Sequence, residues 1–520
     1  MSKPVTRPVA GPPAGYTGPR RSLVLAGGGM RVAYQAGVIR ALLEEGLCFH
    51  HGDGTSGGTI NLAMLFSGLT AEEMCERWRT LRVKDFVSLL PLREYIKGLD
   101  VKAMGDADGI VTKVFPHLGI DVGRINGATG MEGTFNVCNY TRKVNEAIPH
   151  DQVDLDLLVA GISLPIFMPP VQRGDSLYLD SVWIKDANLM EAVRRNADEI
   201  WLVWCIGNTP HYRDGPFYQY VHMIEISANG VLFEEFDRIG ELNRRIAAGE
   251  IVDGRTQPVV LHVIRPEYPL PLDPDFYLGR IDAATLIEMG YQDACRYLAT
   301  RAPAGLAFEP GVTAMKSSAI GITFRETMEG HFALGATDPE EGSRLGEAAT
   351  PKTVLSLHAT ITVEDLDAFR ADPRHGGRLT GSLSLPGFGE RIPARTGVFQ
   401  LFSPAEDPRM RYMVYEMGLT HEGTDYYLAG KKRVKDDPGP DMWKDTTTLF
   451  TRLHQGRDDT GPVVGAGILR LGAMDLMRMV STMHATGTES LAQSAAALAQ
   501  FGKFFLGQLW DQYAGSAGQE

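Results

Sequence analysis

No stretch of this 520-residue chain approaches the roughly 20 consecutive apolar residues that a membrane-spanning helix needs. The N-terminus "MSKPVTRPVAGPPAGYTGPRR" has proline and glycine where a signal peptide carries its apolar segment, and reads as a disordered tail, residues 1–20, on a cytoplasmic protein. Positive charge is short as well. A net charge of -13 argues against general nucleic-acid binding, which works by neutralising phosphates with Lys and Arg, although it does not exclude local membrane contact. Cys48, Cys75, Cys138, Cys205 and Cys295 are odd in number and widely spaced, so they suggest neither a disulfide framework nor a zinc site, and a reducing compartment fits them best.

What remains is a soluble, globular composition, 22% charged and 44% hydrophobic, on a chain longer than one core usually covers. Two organisations follow one another. From Arg21 to about Phe308, the short apolar runs "SLVLAG", "FNVCNY", "LDLLVAG", "EIWLVWCIG" and "PVVLHVI" alternate with helical patterns, which predicts a largely parallel sheet covered on both faces. Long helices are expected from Tyr218 to Ala248 and from Asp282 to Ala299.

After the linker-like "RAPAGLAFEPGVTAMKSSAIG" the period switches to two: Leu355, Leu357, Ala359, Ile361 and Val363 alternate with polar residues. Similar segments at "LTGSLSLPG", "TGVFQLFS", "MRYMVYEMGL", "YYLAGKKRV" and "TTTLFTRLH" predict an antiparallel barrel or sandwich over 309–520. The basic run Lys431 to Lys435 reads as a solvated barrel edge. A closing amphipathic helix, "TESLAQSAAALAQFGKFFLGQLWDQY", carries Leu491, Ala495, Leu498, Phe505 and Leu509 near one face, which should pack on the barrel.

Two glycine-rich turns carry the chemistry. Gly54-Thr55-Ser56-Gly57-Gly58 fits G-x-S-x-G, the sharp strand-to-helix turn that lifts a nucleophilic hydroxyl clear of the backbone, and "GTINLAMLFSGL" supplies the helix. "SLVLAGGGMRVAYQAGVIRALLEEG" is a strand, a triple glycine and a helix, so that amides near Gly28, Gly29 and Met30 can converge on an oxyanion. The rival for this second turn is a dinucleotide fingerprint, but Val32 occupies its third glycine position and no acid follows at the expected distance. His50 and His51 invite a triad reading, yet a strand entering the elbow would point them away from the serine tip. With Asp53 they are weak candidates for a metal site. Ser163 lacks the second glycine of a nucleophile turn, and the Asn139 sequon has no meaning in a cytoplasmic chain.

Together with "AGISLPIFMPPVQRGDSLYLDSVWIKDANLMEAV", these turns resemble the patatin-like phospholipases over roughly residues 21–300, within a domain expected to span 21–308. The resemblance implies a three-layer α/β/α domain and a Ser56–Asp180 dyad without histidine. It places the oxyanion hole on Gly27, Gly28, Gly29, Met30 and Arg31, and the elbow glycines at Gly54 and Gly58. It implies no metal and no organic cofactor, and a phospholipid or other acyl lipid as substrate. Val32 and Ser181-Val182 depart from the family's glycines, which leaves Asp186 as an alternative base and a lapsed, lipid-binding protein as an alternative function. An aspartate near its ordinary pKa of about 4 is a poor base for a hydroxyl, so burial would have to raise it. A weaker resemblance links "GITFRETMEGHF" and "DDPGPDMWKDTTTLFTRL" to a β-rich module of bacterial proteins like cholesterol oxidase, implying lipid binding or scaffolding.

Overall fold

The computed structural model describes residues 7–86, 88–89, 103–316, 319–407, 410–435, 446–488 and 490–514. The chain divides into two units, Met1–Lys316 and Ser317–Glu520.

In the first unit, strands β1 (Arg21–Leu25), β2 (His51–Gly54), β3 (Glu132–Asn139), β4 (Val144–Pro149), β5 (Val171–Arg173), β6 (Ser176–Asp180), β7 (Glu199–Val203) and β8 (Val260–Ile264) form one sheet. Its order is β8-β7-β1-β2-β3-β6-β5, with β4 also on β3. The five strands from β8 to β3 are parallel, and β4, β5 and β6 join antiparallel. Central strands are buried on both faces, which is why their sequences read as unbroken apolar runs.

Five helices concern the site and its supports: α1 (Ala33–Glu44), α2 (Gly57–Phe66), α3 (Leu155–Ala160), α4 (Pro216–Ala247) and α5 (Ala283–Thr300). The helix α3 corrects the reading of "LDLLVAG" as a strand. The Asp154 carboxylate accepts the Leu157 amide and starts a helix there, a capping signal that outweighs the apolar run. Helices α1 and α5 pack with their backbones in contact, because a methyl group on Gly37 would fall 1.9 Å from the Ile287 carbonyl and one on Gly290 2.0 Å from that of Tyr34. The segment 7–20, expected as a disordered tail, follows a defined path: Ala10 is buried and its carbonyl accepts the Phe49 amide.

The second unit is a closed antiparallel barrel of eight strands. They are β9 (Gly321–Leu334), β10 (Val354–Val363), β11 (Gly376–Leu385), β12 (Gly389–Pro404), β13 (Met410–His421), β14 (Thr424–Lys435), β15 (Thr448–Gln455) and β16 (Val463–Arg470). Each pairs with the next, and β9 closes the ring by pairing with both β10 and β16. The alternating residues Leu355, Leu357, Ala359, Ile361 and Val363 all point into the core, as the period-two pattern requires.

Closure removes the edge assigned to Lys431–Lys435: Lys431 and Arg433 are exposed, whereas Lys432 and Val434 are buried. Lys432 donates to the Tyr415 hydroxyl at 3.2 Å and lies 3.9 Å from Glu326. The closing helix α6 (Leu491–Ala514) packs on this core through Ala497 and Phe501, with Leu498, Phe504 and Phe505 beside them. The expected face is therefore shifted, since Leu491 and Ala495 face solvent. Part of "DDPGPDMWKDTTTLFTRL", residues 436–445, lies outside the described residues.

Candidate active site

The site is built at the carboxyl ends of the parallel strands. Leu25 of β1 is in register with Gly54 of β2 on one side and Val203 of β7 on the other, so the turns leaving β1 and β2 emerge side by side. The turn after β2 puts Ser56 at φ 52 and ψ -129, a left-handed conformation that non-glycine residues adopt only under constraint, immediately before α2. Gly58 makes the constraint feasible. Any side chain there would meet the Leu25 carbonyl at 2.1 Å, so the elbow can press against the end of β1 only with hydrogen at this position.

The turn after β1 runs through Ala26 and the triple glycine into a tight turn, Gly29–Val32, and then α1. Its amides divide into two groups. Gly27 N–H donates to Asp186 Oδ1 at 3.0 Å, Met30 N–H to Asp273 Oδ1 at 3.1 Å, and Arg31 N–H to the Gly28 carbonyl at 3.1 Å. The amides of Gly28 and Gly29 are engaged by no group among the described residues. Arg31 is buried and its Nε holds the Gly28 carbonyl at 2.9 Å, so it steadies the loop.

Asp180 ends β6, in register with Val137, and is 1% exposed. Its amide donates to the Ser163 carbonyl and its Oδ1 accepts the Val182 amide at 2.9 Å. Burial pushes its carboxyl up to about 7, against the opposing pull of the Ser56 hydroxyl and the Val182 amide. Asp186 does not reach the serine as a hydrogen-bond partner and instead anchors Gly27.

The departures from the family's glycines are accommodated. Val32 packs where a side chain on Gly57 would lie, its methyl 2.6 Å from that position, and its carbonyl accepts the Asn61 amide at 2.9 Å. Ser181 bonds Asn145, and Val182 is buried with its amide on Asp180.

Of the other sequence candidates, His51 is buried within β2, its ring between the Ser22 and Thr134 hydroxyls, and burial drives it down to about 3. Neither His51 nor His50, whose ring meets that of Tyr16, is bonded to Ser56. Among the described residues no group of three His, Cys, Asp or Glu side chains is placed to hold a metal ion. Ser163 donates to the Val159 carbonyl, and Asn139 is buried.

Sequence reasoning missed a buried amide scaffold. Gln35 bonds the Ala26 carbonyl at 2.6 Å, Asn61 bonds Gln35, and Trp78 bonds Asn61, which fixes the glycine loop from α1 and α2. On the other side Asp53 accepts from Thr134 and Asn136, and the Asn136 side-chain oxygen accepts from Asn145 and Asn188. The available signal was each polar residue set singly in an apolar run.

The first unit thus sets a strained serine elbow beside a glycine loop, with the buried Asp180 carboxyl at the end of β6. Residues 23–193 match the model of the patatin-like phospholipase family. No curated protein matches. Among solved structures, full-length SpcU in complex with full-length ExoU, from the type III secretion system of Pseudomonas aeruginosa, is similar at 14% identity, covering 59% of this chain and 77% of that one. The TM-score is 0.17, too low to transfer geometry. Among the described residues no helix is long and apolar enough to cross a membrane.

Proposed function

We propose that this chain is a lipid acyl hydrolase that cleaves the carboxylic esters of a phospholipid or another acyl lipid through Ser56 and Asp180. Asp180 takes the Ser56 proton as Oγ attacks the carbonyl carbon, and the Gly28 and Gly29 amides receive the oxyanion. Collapse of the tetrahedral species expels the alcohol, which leaves with the proton held by Asp180. Water, deprotonated by Asp180, then attacks the acyl-serine and releases the fatty acid.

The observation that carries this reading is the buried Asp180 carboxyl beside the elbow serine, raised to about 7, where a carboxylate becomes a competent base near neutral pH. Apolar side chains at the site suit an acyl chain. Tyr220, whose ionisation is opposed by burial and by the Asp180 charge, meets Trp183 and Phe167 edge to face, while Ile166, Phe167 and Met223 stay exposed. All five cysteines are buried thiols, which fits a reducing compartment. The barrel interior is filled by Leu, Phe and Met side chains, which favours a scaffolding role over the enclosure of a ligand.

The test is hydrolysis of phosphatidylcholine vesicles and of a short-chain nitrophenyl ester by wild type, Ser56→Ala and Asp180→Asn. Turnover of vesicles lost in both variants supports the reading. Turnover of the soluble ester alone makes the protein a carboxylesterase or thioesterase. No turnover by folded wild type makes it a lapsed, lipid-binding hydrolase.

A further inference from the structure

A second buried acid borders the nucleophile, and the reaction as written does not use it. Asp186 is 1% exposed. Its Oδ1 accepts the Gly27 amide at 3.0 Å, and its Oδ2 meets no hydrogen-bond partner. Gly27 has both Asp186 and the serine beside its α-carbon. A methyl group on the Gly27 α-carbon would lie 2.4 Å from Asp186 Oδ1, 2.8 Å from Ser56 Cβ and 3.3 Å from Ser56 Oγ.

The groups facing Asp186 are Asp180 from the end of β6, Arg31 from the turn after the glycine loop, Cys205 beyond the end of β7, and the Gly27 amide. Arg31 directs its Nε to the Gly28 carbonyl, and burial raises the Cys205 thiol to about 12, so that it stays neutral. The two aspartates compete for one negative charge. Asp180 has the Ser56 hydroxyl and the Val182 amide to stabilise an anion, whereas Asp186 has a single amide on one oxygen and a bare second oxygen. A carboxylate without donors is costly when buried, so in the singly ionised site the charge rests on Asp180 and the proton on Asp186.

We propose that Asp186 is a positioning residue that serves only as the neutral acid: it pins the Gly27 amide, and so aims the Gly28 and Gly29 amides, without placing a second charge beside the oxyanion. This rests on the Ser56–Asp180 reading and extends it. The active enzyme carries one proton between the two carboxyls. Loss of the Asp180 proton switches the base on near pH 7, and loss of the Asp186 proton, which burial and Asp180 hold to about 8, puts a repelling charge next to the oxyanion. Activity therefore has a narrow optimum between two limbs.

The experiment is the pH profile of kcat for full-length wild type, Asp186→Asn, Asp186→Ala and Asp180→Asn on a soluble nitrophenyl ester, with folding checked by circular dichroism. Asparagine offers Gly27 the same acceptor and cannot ionise. The expected result is that Asp186→Asn loses the alkaline limb and keeps the acidic one, and that it is at least about tenfold faster than Asp186→Ala near neutral pH. An Asp186→Asn profile that retains the wild-type alkaline limb overturns the proposal, whether or not the alanine variant folds. Equal rates for folded asparagine and alanine variants also overturn it. If Asp180→Asn keeps wild-type activity, the dyad itself has failed, which is a distinct outcome.

Discussion

Asp53 allows the buried acids to be tested without touching the reaction. It lies three residues before Ser56, fully buried, with Oδ2 accepting the Thr134 hydroxyl at 2.5 Å and Oδ1 the Asn136 amide at 2.7 Å. Burial outweighs both bonds and raises the carboxyl from 3.8 to about 7. The sign follows from which state binds the proton more tightly. The unfolded chain releases it near pH 4 and the folded protein near pH 7, so the stability from this group is complete below about pH 4, falls between the two and stays low above.

Each tenfold difference in proton affinity is worth about 1.4 kcal/mol, so the whole effect is up to about 4 kcal/mol. Asparagine at this position reproduces the protonated acid. Its oxygen accepts from Asn136, its amide donates to Thr134, and Thr134 passes its hydrogen to His51, whose other nitrogen donates to Ser22. Urea unfolding of wild type and Asp53→Asn, followed by tryptophan fluorescence from about pH 4.5 to about 8.5, gives the difference directly. The variant should gain on wild type as pH rises and level off above about pH 7, by up to about 4 kcal/mol. A difference that does not change with pH refutes the reasoning.

Asp180→Asn should lower kcat by about 10²–10⁴ with little change in KM, since the carboxylate acts as a base and not as a binding group; steady-state kinetics decide. Gly58→Ala should abolish labelling by a fluorophosphonate, because the added carbon meets the Leu25 carbonyl at 2.1 Å and the elbow cannot close; labelling at the wild-type rate contradicts that geometry. Phe501→Ala should destabilise the barrel by about 3–5 kcal/mol, because this side chain is 4% exposed and packs between Phe324 and Phe369. Hydrogen exchange should then quicken in β9 and β10 and not in β1 and β2.

The two glycine turns were legible because each is encoded in contiguous residues, where glycine spacing reports directly on how closely backbones approach. The barrel was legible from its period of two, at least for β10 to β15. Strands β9 and β16 passed unnoticed, since "GITFRETMEGHF" carries Arg325 and Glu329 among its core residues and "VVGAGILR" has little alternation. "LDLLVAG" failed because a short apolar run has no readable period, and only the bond from the Leu157 amide to Asp154 decides for a helix. Lys432 failed for a different reason: whether a strand has an edge is a property of the closed ring, and its partner Glu326 lies on β9. That Asp186 pins the Gly27 amide while the Ser56 hydroxyl acts on Asp180 is a difference invisible in spacing.

The central claim is that Ser56 is an activated nucleophile. Wild type treated with a fluorophosphonate, then digested and mapped by mass spectrometry, should carry a single adduct on Ser56. The adduct should form more slowly in Asp180→Asn and not at all in Ser56→Ala. An adduct on another residue, or none on the folded wild-type protein, would contradict the account.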